Sequence, residues 1–215
     1  MDGQDNYGRV REEWRRRFLE MDCAALARRF HLRADDENLF LRYFSRPYAV
    51  SRKTGRIVRI DRPEEEIGFN TAMNFYNMFH YAVPEPVPSG VLVPFCSVRR
   101  VYPFEAAYRK NILDPMGRYF DGRADALRRA LDALHAAPVR QGDAGGELEV
   151  FPGLRLAVIL WDGDEEFPAQ VNMLFDSNIT DFMHEENVVC VASDAARFLA
   201  EESGLGPSDS GFSVE

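Results

Sequence analysis

The sequence predicts one α+β domain, mostly antiparallel sheet with helices packed on it. Three observations lead there. Short aromatic and β-branched runs separated by turn residues fill the stretch from Asn38 to Ile60. Blocks with apolar residues at helical spacing stand before and after it. Two further apolar runs, Leu154 to Trp161 and Ala169 to Phe175, need strand partners, which the early meander would supply. With 215 residues, 46% hydrophobic and 12% aromatic, the chain has enough apolar mass for a sizeable single core.

The first helix is expected from about Gly8 to Phe30. Val10, Trp14, Phe18 and Met21 recur on one face, and Asp22 is placed to restart the helix as an N-cap before Ala24. Leu39 to Phe44 reads as a strand and Tyr48 to Val50 as a second. Gly55 then supplies the positive φ of a tight turn before Ile57, Val58 and Ile60. Pro63 followed by three glutamates predicts a helix N-terminus, and Phe69, Met73, Tyr76 and His80 continue it. Pro84, Pro86 and Pro88 end that helix and form a stiff connector to a short strand at Val91 to Phe95. A helical region from about Pro103 to Phe120 is expected to break near Asp114 and Pro115, and another helix spans Ala124 to His135. Gly142 to Gly146 reads as a loop, and a last helix starts near Glu185 and stops at Gly204. The expected organisation is an amphipathic helix over 1–21, one α+β domain over 22–203 and a flexible tail over 204–215.

Charge and cysteine usage exclude several classes. The net charge is −9, which disfavours general nucleic-acid binding, since phosphate contacts need cations. Cys23, Cys96 and Cys190 are scattered and form no C-x-x-C, so no iron–sulfur cluster or structural zinc would be held through cysteines alone. An odd number of cysteines without a signal peptide predicts reduced thiols in a cytoplasmic protein. No apolar run approaches the ~20 residues of a membrane helix.

The candidate site residues lie mainly in one late stretch. Asp164, Glu165 and Glu166 form an acidic loop between two strands, and Asp176, Ser177 and Asn178 end the second strand. In a simple hairpin the loop and Asp176 would sit roughly 20 Å apart at ~3.3 Å per residue. One reading is a solvated turn plus a helix cap; the other is a set of carboxylates for a divalent metal or a basic partner. His184 opens the last helix and is either a surface or capping residue or a ligand or general acid. Val188 stands where the second histidine of H-E-x-x-H would be, so zinc-protease chemistry is excluded. His80, among Phe75, Tyr76, Phe79 and Tyr81, is either a core histidine or an axial ligand for a flat cofactor. Cys96, followed by Arg99 and Arg100, is a structural thiol or one in a locally positive segment.

Taken in order, Asn77-Met78-Phe79-His80-Tyr81, Val93-Pro94-Phe95, Glu165-Glu166-Phe167-Pro168 and Leu174-Phe175-Asp176 resemble an uncharacterised prokaryotic family, domain of unknown function 3786. The likeness runs from about Asp22 to Glu202. The resemblance implies an anaerobic setting beside corrinoid or iron–sulfur metabolism, with any cluster or corrinoid carried by a protein partner. It brings no catalytic residues. Three functions remain open: an accessory or binding domain in such metabolism, a metal-dependent enzyme using the late carboxylates, and an acidic protein–protein adaptor.

Overall fold

A computed structural model describes residues 2–205, which leaves all but the first two residues of the expected tail outside the described residues. Helix α1 (Asp2–Leu19) is followed by α2 (Cys23–Arg29), and the restart is as expected. Asp22 Oδ1 accepts hydrogen bonds from the amides of Ala24 at 2.8 Å and Ala25 at 3.1 Å.

The early meander is a four-stranded antiparallel sheet of β1 (Arg33–Ala34), β2 (Asn38–Tyr43), β3 (Arg46–Ser51) and β4 (Ile57–Arg59), in that order. Phe44 does not extend β2. With Ser45 it forms the two-residue turn to β3, at φ 47° and 62°. A phenylalanine is a costly residue for a left-handed turn; here its ring is completely buried and meets Phe198 edge-on at 5.5 Å. Gly55 has the expected positive φ, 70°, and a Cβ there would also meet Arg15 Cγ of α1 at 2.9 Å.

Helix α3 (Phe69–Tyr81) begins six residues later than the sequence predicts. Pro63 to Glu65 lie in a turn and bend instead, where a buried guanidinium claims one of the glutamates: Arg59 pairs with Glu65 at 3.1 Å and with Asp61 at 2.9 Å. Every α3 residue from Thr71 to Phe79 is buried. The proline connector leads to β5 (Leu92–Pro94) and two 3-10 turns, Phe95–Ser97 and Tyr102–Phe104. Helix α4 (Glu105–Tyr108) then runs into α5 (Asp114–Phe120) without the expected break. Arg109–Leu113 between them is a π turn, closed by the Asp114 amide on the Arg109 carbonyl. Pro115 accounts for it: a proline inside a helix has no amide to donate, and its ring crowds the carbonyl four residues back, so the turn widens.

Helix α6 (Ala124–Ala133) precedes β6 (Ala137–Pro138), β7 (Ala144–Phe151), β8 (Leu154–Trp161) and β9 (Gln170–Asp176). The chain closes with α7 (Ile179–Phe182) and α8 (Glu185–Glu202). The second sheet is antiparallel in the order β5-β9-β8-β7-β6. Here too the expectation needs correcting: β8 and β9 pair with one another, with β7 and with β5, and not with the early meander. Strand β7 includes Gly145 and Gly146 of the expected loop. Glycine is needed at Gly146 because a Cβ would come within 2.9 Å of Leu131 Cδ2 and Ala136 Cβ, where α6 crosses the strand.

The two sheets meet through one main-chain hydrogen bond, Phe44 N to Val150 O at 3.1 Å, and share a hydrophobic cluster reaching from Phe18 to Ala200. This is the predicted α+β arrangement. Helices α3 and α8 pack against each other and enclose a polar knot. Asp194, 1% exposed, receives Tyr43 Oη and Thr71 Oγ1 at 2.9 Å, Asn74 Nδ2 at 3.2 Å and Arg197 Nη2 at 3.2 Å. Arg46 and Arg197 lie over the Phe198 ring, 3.9 and 4.3 Å from its centroid.

Candidate functional site

The hairpin register pairs Trp161 with Gln170 and Leu156 with Phe175, so the acidic loop and Asp176 lie at opposite ends of β9. The late acids are not brought together. Asp164 Oδ1 accepts the amides of Glu166 and Phe167, both at 2.8 Å, and these bonds hold its carboxyl below the usual range. It is a turn-forming aspartate. Glu165 and Glu166 are exposed beside it.

Asp176 is fully buried. Burial by itself would raise its pKa, but the amides of Asn178, Ser89 and Gly90 and the Ser89 hydroxyl outweigh that and lower it. Those four bonds span 2.8 to 3.0 Å. Asn178 Nδ2 adds a bond to the Val87 carbonyl at 3.3 Å. Asp176 and Asn178 thus clamp the proline connector to the end of β9, and every Asp176 oxygen is engaged.

His184 is the N-cap of α8, its Nδ1 accepting the Glu186 amide at 3.3 Å. His80 is exposed at the C-terminal end of α3 and meets Trp14 and Tyr81 edge-on at 5.3 and 4.7 Å. Its aromatic sequence neighbours Phe75, Tyr76 and Phe79 turn inward and leave it outside the core. Tyr81 lies between the two histidines, with its ring 5.2 Å from that of His184. Among the described residues no group of three or more histidine, cysteine, aspartate or glutamate side chains is placed to hold a metal ion.

A cavity of about 490 Å³ opens elsewhere, at the edge of the second sheet beyond the end of β5. Strand β5 pairs with β9 only over Leu174 to Asp176 and then stops at Pro94, which has no amide to offer. The first half of β9 therefore has no strand on that side. Ser177 N donates to Val91 O across this edge at 2.9 Å, so the odd-numbered residues of β9 direct their main-chain groups away from β8. Val171 and Met173 are the two in the uncovered half.

The helical wall of the cavity comes from α4 and the π turn, with Glu105, Tyr108 and Arg109. Tyr108 stacks on Phe95 at 4.2 Å and 18°, and its buried hydroxyl lies against the Met173 main chain without closing a hydrogen bond of normal geometry. Burial drives that phenol far above its usual pKa. Trp161, Gln170 and Asn172 line the sheet wall, and Cys96 is exposed at the rim. Glu105 and Arg109 form no ion pair with each other or with any other described residue. Pro94 and Pro115 were the visible signals for this cavity, since one ends a strand early and the other widens a helix; reading each only as a breaker hides what they open.

Among the described residues, no helix is long and apolar enough to cross a membrane. Comparison with curated proteins and with solved structures returns no match. The family described as "Domain of unknown function (DUF3786)" matches residues 22–197, from the N-cap of α2 to the penultimate turn of α8, and the chain belongs to that family.

Proposed function

We propose that the chain is a binding domain that takes a small molecule in the cavity beside β9. The observation that carries this reading is the half of β9 without a strand partner, where Val171 lines a space of about 490 Å³ together with Trp161 and an unpaired Glu105 and Arg109. That volume falls within the range of small-ligand pockets, about 300–1,000 Å³. The local bonds that occupy Asp164 and Asp176 favour this role over metal-dependent catalysis by those acids.

Two native reporters test it. Trp161 lines the cavity, and a Trp14→Phe background makes it the sole tryptophan. Cys96 at the rim can be footprinted by alkylation. Saturable change of Trp161 emission together with slowed Cys96 alkylation is expected from a member of a broad panel of small polar metabolites. Unchanged emission and unchanged alkylation across that panel overturn the proposal.

A further inference from the structure

The cavity's polar groups narrow the class of ligand, an inference that rests on the cavity being the binding site. We infer that it takes a free α-amino acid, its carboxylate on Arg109 and its ammonium on Glu105.

The argument begins with what does not fit. An added peptide strand would draw its affinity from main-chain bonds along the open edge. Of the two β9 residues that face outward there, Met173 is covered by the Tyr108 hydroxyl, so only Val171 is left to pair. One residue pair is too little to hold a strand. A dicarboxylate or a phosphate would find one cation, Arg109, with Glu105 beside it and a chain of net charge −9 around it.

A zwitterion fits the pair. Glu105 and Arg109 are four residues apart, which on a helix places their Cβ atoms about 5–6 Å from each other. They extend into the same cavity yet leave one another unpaired. An α-amino acid carries its two charges on one carbon and bridges such a pair with no net charge brought in. A guanidinium takes a carboxylate in two parallel bonds. The outward Val171 carbonyl and amide stand by for the remaining ammonium proton and carboxylate oxygen. The ligand's side chain then extends toward Phe95, Tyr108 and Leu113, whose edges line the cavity.

Calorimetry on the full chain separates the possibilities with three probes of one shape: phenylalanine, 3-phenylpropionate, which lacks the ammonium, and 2-phenylethylamine, which lacks the carboxylate. Phenylalanine is expected to bind, with each truncated probe weaker by about tenfold or more, the loss of one charge-assisted contact. Arg109→Met should abolish the preference for phenylalanine over the amine, and Glu105→Gln the preference over 3-phenylpropionate. Both side chains are at the surface, and circular dichroism checks that the variants fold. Equal binding of 3-phenylpropionate and phenylalanine overturns the assignment of Glu105. If none of the three binds while another small molecule still protects Cys96, the amino-acid class falls and the binding site stands. If nothing protects Cys96, both fall.

Discussion

Replacing Asp194 by alanine should cost about 3–5 kcal/mol, the usual cost of breaking a buried ion pair by removing one partner. The structure explains the size. The carboxylate collects four donors, and three of them, on Tyr43, Thr71 and Asn74, are buried and have no water to turn to. Arg197 retains Glu201 at 2.6 Å, which limits the loss on its side. At 215 residues, 1 kcal/mol moves the melting temperature by about 2–4 °C, so Asp194→Ala should melt about 6–20 °C below the parent. Urea unfolding followed by circular dichroism reads the same change as a lower midpoint with an unchanged slope. The pH dependence carries a definite sign. Burial is the main influence and raises the Asp194 pKa, against the pull of Arg197 and the hydroxyl donors. The folded state therefore holds its proton to higher pH than the unfolded chain does. Asp194's contribution to stability is complete below the unfolded value near 3.8 and declines as pH rises toward the raised folded value. Relative to Asp194→Asn, the parent should thus gain stability on acidification across that window. A loss below about 1 kcal/mol for Asp194→Ala, or a pH difference of opposite sign, would refute the account of the knot.

Further measurements probe other parts of the fold. Asp176→Asn should lose about 1–3 kcal/mol at neutral pH, because the clamp on Ser89 and Gly90 loses its charge. As the Asp176 pKa is depressed, that penalty should shrink as pH falls below the ordinary carboxylate value, and proteolysis of the proline connector should quicken in the variant. Gly146→Ala drives a methyl group into Leu131 and Ala136 and should cost about 1–3 kcal/mol in the same urea assay. In the native protein Cys96 should react readily with a thiol reagent. Cys190, whose burial pushes its thiol up to about 12, should react only on unfolding, as mass mapping of the labelled peptides would reveal.

Local chemistry was legible in the sequence wherever neighbours in the chain decide the outcome. Asp22 caps α2, Gly55 turns the meander, and His184 caps α8, each through contacts within a few residues. The reading failed where a distant residue intervened. Arg59 turned Glu65, after Pro63, into an ion-pair partner, and α3 starts later. Leu131 and Ala136 made Gly146 suitable for the interior of a strand, against glycine's poor intrinsic fit there. The acidic loop drew attention because charge is visible in one dimension. The cavity escaped it, because Glu105, Arg109, Trp161 and Val171 meet only after α4, the π turn and the β8–β9 hairpin have folded. The polar knot escaped for the same reason, with Tyr43 lying 151 residues from Asp194.

That separation bears on how the protein is made. A ribosome releases Tyr43, Thr71 and Asn74 long before it has synthesised their acceptor, and throughout that interval α3 has nine otherwise buried residues without one of the helices that cover them. The nascent chain must therefore wait, sticky and incomplete, until α8 clears the exit tunnel, and truncations short of Asp194 should be handed to chaperones or proteases and should not accumulate as folded fragments.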